Sequence, residues 1–182
     1  MSPSTRITPG LLTATALLLS AVVHAEGIQR EDRIKAALVF KLVKFVEWPA
    51  SALSGNMPLQ LCAYGNSGVA EALAAADGKP ARDRTARFRK LDSLAANDIK
   101  GCHVLFVAGG TRELLNGVPP ALRPRGTGLL TVSDHPEFAR RGGMIGLAQG
   151  ENKVTFEINL RTAREGGLEP GASLLELATI VD

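Results

Sequence analysis

Aromatic residues are scarce in this 182-residue chain, which has one Trp, one Tyr and six Phe. That excludes the base-stacking platforms on which single-stranded nucleic acids are held. Histidine occurs three times and cysteine twice, with no metal-ligand spacing between them, so no zinc site is expected. Charge of one sign is also lacking, with 21 Lys and Arg against 18 Asp and Glu. A nearly even balance argues against a nucleic-acid binder, which needs a concentrated basic patch. Beyond the N-terminus, no apolar run approaches the roughly twenty residues of a membrane span.

The first 25 residues read as a secretory signal peptide. Arg6 gives a positive start, Leu11 to Val23 is charge-free and largely apolar, and Val23-His24-Ala25 offers short residues before Glu26. The expected mature chain, 26–182, works in an extracytoplasmic, oxidising compartment and is the size of one domain able to bury a full core. Cys62 and Cys102 both lie in it. An even pair in a secreted chain most simply forms one disulfide; two buried free thiols are the alternative.

Hydrophobic periodicity predicts a helix from Ile28 to Val46, stopped by Trp48-Pro49. Strands are predicted at Leu59–Tyr64, Thr85–Leu91, Cys102–Ala108 and Gly128–Val132. Met144–Ala148 and Lys153–Ile158 flank the polar loop Gln149-Gly150-Glu151-Asn152 as a hairpin. Helical patterns cover Val69–Ala76, a short piece within 92–100, Thr111–Leu115 and the segment with Leu174, Leu175, Leu177 and Ala178, while Leu160–Arg164 leads into a Gly166-Gly167 break. Strands alternating with helices predict a single-domain α/β fold. It has a mixed sheet flanked by helices on both faces and a β-hairpin in its C-terminal half.

Candidate chemistry is thin, and no catalytic residue, metal site or cofactor is assigned. Ser133-Asp134-His135 brings together hydroxyl, carboxylate and imidazole, but neighbours on one turn cannot form a mutual triad. They read instead as a turn whose Ser or Asp satisfies backbone donors. Gly109-Gly110-Thr111 follows a strand and precedes a helix, where free amides hold anions; a tight turn is the other reading. The basic run Lys79–Lys90, with Arg82, Arg84, Arg87 and Arg89, is either an anion site or a solvated strand and loop. Trp48 is either a core anchor or an exposed contact. Glu157 is a polar residue on the solvated face of a strand, available to a partner.

The linear order of several segments is itself informative. Ile34-Lys35-Ala36-Ala37, Phe45-Val46-Glu47-Trp48-Pro49, Leu61-Cys62-Ala63-Tyr64-Gly65 and Cys102-His103-Val104-Leu105-Phe106 come first. Leu130-Thr131-Val132-Ser133-Asp134, Gly142-Gly143-Met144-Ile145, Phe156-Glu157-Ile158-Asn159-Leu160 and Leu174-Leu175-Glu176-Leu177-Ala178 follow. In order and spacing the chain resembles the YfiR-like family over essentially its whole mature length.

The resemblance implies regulation without catalysis. It predicts a periplasmic repressor that binds the periplasmic domain of an inner-membrane diguanylate cyclase or other sensor, and so controls cyclic-di-GMP and biofilm formation. It also implies an outer-membrane lipoprotein as a second partner, and it is compatible with a homodimer. Cys62 and Cys102 fall on two of the family's cysteine positions. A second pair found in some relatives is replaced here near Ala139 and Gly146. Positions 167–171 lack the basic residues of some relatives, which argues against a nucleotide ligand there. Partner contacts are expected in the C-terminal half, at Met144, Ile145 and Glu157 of the hairpin. The competing reading is that Met144 and Ile145 fill the core. The competing function is a periplasmic small-ligand carrier or enzyme that uses the glycine-rich turns.

Overall fold

The computed structural model describes residues 29–123, 125–150 and 153–182. The expected signal peptide, Ile28 and the loop residues Glu151 and Asn152 lie outside the described residues.

Helix α1 spans residues 29–42 and tightens into a 3-10 turn over Val43–Phe45. Ala36, Val39, Leu42, Val43 and Val46 are buried at intervals of three or four, so this stripe faces the sheet. Strand β1 (Val46–Glu47) follows, and then β2 (Leu59–Tyr64), α2 (Gly68–Leu73), β3 (Pro80–Ala81) and β4 (Arg84–Leu91). Next come α3 (Ala96–Ile99), β5 (Val104–Val107), β6 (Leu130–Ser133), β7 (Ile145–Gln149) and β8 (Val154–Asn159). The chain closes with α4 (Leu160–Glu165), β9 (Glu169–Pro170), α5 (Ala172–Leu175) and β10 (Thr179–Val181).

Eight strands form one mixed sheet in the order β10-β8-β7-β6-β5-β2-β4-β3, and β1 pairs with β9 apart from it. From β4 through β2, β5 and β6 to β7 all neighbours are parallel. Counted by appearance within that set, the order is 2-1-3-4-5 of doubly wound sheets. The β7–β8 hairpin adds an antiparallel pair, and β10 then runs parallel to β8. Apolar side chains fill both faces. One cluster joins Val39 and Leu42 of α1 and Val69 and Leu73 of α2 to Leu61, Val104, Val132, Ile145 and Ile158. The other joins Leu105 and Val107 to Leu114, Leu122, Leu129 and Phe138. The expected α/β fold with a C-terminal-half hairpin is the observed one.

The C-terminus departs from expectation. The predicted helix ends at Leu175, Leu177 is 75% exposed, and Thr179–Val181 form an edge strand. Three β-branched residues in a row favour extended backbone, and β8 supplies the pairing edge.

Candidate functional site

In a 2-1-3-4-5 sheet the crevice for a ligand lies at the carboxyl ends of the first and third strands, here β2 and β5. Both ends turn on glycine. Gly65 has φ +89°, and a Cβ there would press on Ala108 and Thr111. At Gly109 a Cβ would lie 2.7 Å from the His135 backbone nitrogen. The protein's own side chains engage backbone amides there. The Gly109 N–H donates to Asp134 Oδ1 at 2.7 Å, and the His135 N–H donates to Ser133 Oγ at 3.0 Å. Ser133 and Asp134 thus serve the backbone as a turn, and the Gly109 amide is already spoken for by a carboxylate. Tyr64 adds a bond from its hydroxyl to Glu113 Oε1 at 2.7 Å. That bond pulls the Glu113 carboxyl below its usual range and raises the phenol.

The basic run between Lys79 and Lys90 is mostly engaged in structure. Arg82 reaches the Val46 carbonyl at 2.8 Å and Glu47 at 2.9 Å, while Arg84 reaches the Met57 and Leu53 carbonyls. Arg87 faces Asp77, and Lys90 donates to Asn66. Arg89 donates to the Asp98 and Lys100 carbonyls, both at 3.0 Å, and lies 3.3 Å from Cys102 Sγ. Cys102 is joined to Cys62, with Cα atoms 5.9 Å apart, an ordinary spacing for a bridge. The disulfide expected from the sequence is formed.

The hairpin separates its three candidate positions. Met144 and Ile145 are 0% and 1% exposed and belong to the main core. An apolar contact centre at these two side chains is therefore not presented by this conformation. Phe138 and Ala139, in the turn before β7, are themselves fully buried and Ala139 abuts Gly146. Covered on both sides, the start of β7 reads as interior. Glu157 does reach the surface, in a pair with Arg140 at 2.6 Å through Nη2 and 3.0 Å through Nε. Its cross-strand neighbours are Gly146 on β7 and Thr179 on β10.

Residues 32–179 match the YfiR/HmsC-like family. The chain belongs to that family. A comparison with curated proteins finds no match.

Ala139 and Gly146, where the resemblance places a second cysteine pair in some relatives, stand close together. A Cβ built on Gly146 would lie 3.7 Å from the Ala139 Cβ, close to the mean Cβ separation of about 3.8 Å in disulfides. The double variant Ala139→Cys/Gly146→Cys is expected to oxidise to a second bridge. Mass spectrometry of the unreduced protein should show four cysteines and no free thiol. Two persistently free thiols would show that the Ala139 backbone nitrogen, 3.3 Å from the new Cβ, does not yield.

His103 is a structural residue that sequence reading left among the unused histidines. Its Nδ1 accepts the Gln60 N–H at 2.8 Å, so the proton sits on Nε2, which faces the Ala52 carbonyl at 3.0 Å. The ring ties the loop after Trp48 to the start of β5. Burial pushes its pKa below the usual value; the Ala52 carbonyl opposes this and the Arg84 charge adds to it. The folded form therefore stays neutral where the unfolded chain, with an ordinary pKa of about 6.5, takes a proton. Its contribution is complete above that value and is lost as pH falls toward the lowered folded pKa. The melting temperature of the wild type should drop more between pH 7 and pH 5 than that of His103→Gln. Equal slopes would mean that the ring is not held neutral.

His103 also borders a cavity of about 480 Å³ with Ala52, Ile99, Cys102, Pro120 and Leu129. Trp48 is partly buried against the core, and its indole N–H has no partner among the described residues. It borders a second cleft of about 400 Å³ with Glu47, Leu59, Arg82 and Arg84. Neither cleft was legible beforehand, since each draws residues from four or more separate segments.

Proposed function

We propose that this chain is a periplasmic regulatory binding protein. In this reading it represses a membrane diguanylate cyclase, or a similar sensor, by binding its periplasmic domain. Cyclic-di-GMP synthesis and biofilm formation are thereby held down. Membership of the YfiR/HmsC-like family over residues 32–179 carries the reading. The Cys62–Cys102 bridge supports it, because disulfides persist in oxidising compartments. Among the described residues no helix is long and apolar enough to cross a membrane. The groups that might have suggested an enzyme have structural duties: Ser133 and Asp134 hold backbone amides, and Glu157 holds Arg140.

The contact surface is assigned to the outer face of the hairpin around Glu157 and Arg140, supported from beneath by Met144 and Ile145. A charged pair there selects for orientation and partner more than for raw affinity. The small-ligand alternative draws on the cavity beside His103, and no longer on the Gly109 turn, whose amide is occupied.

Deleting the gene in its own host should raise cyclic-di-GMP and surface attachment, and restoring the wild-type chain should reverse both. The charge swap Arg140→Glu/Glu157→Arg keeps the internal pair but inverts what a partner meets. It should be secreted at normal levels and fail to restore repression. Unchanged cyclic-di-GMP on deletion would contradict the proposal.

A further inference from the structure

Helix α1 segregates its charges by side. Glu31 is paired with Lys35 on the next turn, and Asp32 lies against Gly68 at the start of α2. The opposite sign gathers elsewhere. Arg33, Ala36, Ala37, Phe40 and Lys41 follow one another at helical spacing along one wall of a groove. Ala72, Leu73, Ala75 and Ala76 form the other wall, and Lys79 closes its end. The groove holds about 280 Å³. All three of its charged residues are cations, and all three are exposed. Arg33 reaches no acceptor beyond Gln29 of its own helix, at 3.4 Å, and none of the three joins an ion pair among the described residues. Lys79 thus differs from Arg82, Arg84, Arg87 and Arg89 of the same sequence run, which are spent on carbonyls and Asp77.

An apolar floor with unpaired cations on its rim has a definite complement. We propose that the α1–α2 groove docks an acidic amphipathic helix, its apolar side chains on the alanine floor and its carboxylates against Arg33, Lys41 and Lys79. This is the helix-in-groove mode, with anchors at i, i+3, i+4 and i+7. Shape decides against an anionic membrane as the occupant. Membrane-surface helices push large apolar side chains outward beyond their cations; here the apolar floor is recessed and made mostly of alanine. The proposal goes beyond the regulatory reading and uses none of the hairpin residues, so the two fail separately.

The test uses the full mature chain and a fluorescent synthetic helix of about fifteen residues, with Leu at the anchor spacing and Glu on both flanks. Saturable binding is expected, weakened about tenfold or more when Lys replaces Glu in the peptide. It should weaken comparably for Lys41→Glu/Lys79→Glu protein, whose melting temperature should match the wild type because both side chains are exposed and unpaired. Equal affinity for both peptides, or full affinity of the charge-reversed protein, would overturn the proposal. So would absence of saturable binding to the Glu peptide, whether or not phosphatidylglycerol-rich vesicles capture the protein.

Discussion

Replacing Ile145 by Asp is expected to unfold most of the protein. The side chain is 1% exposed and lies between Val132 of β6 and Ile158 of β8. The substitution removes apolar packing worth about 1.5–3 kcal/mol and places a carboxylate in the main apolar core. Together these put the loss at about 4–5 kcal/mol or more, against a typical total of about 5–15 kcal/mol. Glu157→Ala, one residue from the same interior row, breaks a half-exposed ion pair and should cost about 1 kcal/mol or less. Urea unfolding of the two variants separates interior from surface. An Ile145→Asp protein that melts like the wild type but has lost its partner would move Ile145 back to the interface.

The second large effect belongs to the disulfide. Cys62 and Cys102 close a loop of 40 residues, for which chain-closure entropy alone gives about 4 kcal/mol. A Cys62→Ala/Cys102→Ala protein is expected to lose about 2–4 kcal/mol. The single Cys62→Ala variant should fare no better, since it leaves an unpaired thiol beside the Arg89 guanidinium. Thiol titration of the unfolded, unreduced wild type should find no free sulfhydryl; two would contradict the bridge. Arg89→Ala should share part of the loss, because the same side chain holds the carbonyls of Asp98 and Lys100 that lead into Cys102.

What could be read from residue order was whatever repeats within one element. The apolar run Leu59–Tyr64 and the alternation before Leu91 each marked a strand of the sheet correctly, because burial of one or both faces imposes the pattern directly. Three of the unpredicted strands, β1, β3 and β9, have two residues each, too few for a period to show. Met144 and Ile145 were ambiguous for a different reason. Alternation tells which residues share a face, but not that the turn with Phe138 and Ala139 covers the outer one. The arginines of β4 and of the turn before it looked like a basic patch until their acceptors, mostly carbonyls in distant loops, were known. The Ser133-Asp134-His135 turn was legible because its hydrogen bonds are short-range or end at an adjacent strand. Trp48, the His103 clamp and the α1–α2 groove depend on how distant segments meet, and nothing in a linear pattern encodes that.

In the proposed function, this chain acts by binding the periplasmic domain of a membrane cyclase. The most direct measurement is calorimetric titration of the oxidised mature protein into that purified domain, taken from the host's own membrane diguanylate cyclases. Specific, saturable binding with at least one of them is expected, abolished or strongly weakened by the Arg140→Glu/Glu157→Arg swap in a protein that melts normally. No binding to any of the host's cyclase domains or other periplasmic sensor domains, with the disulfide intact, would contradict the account.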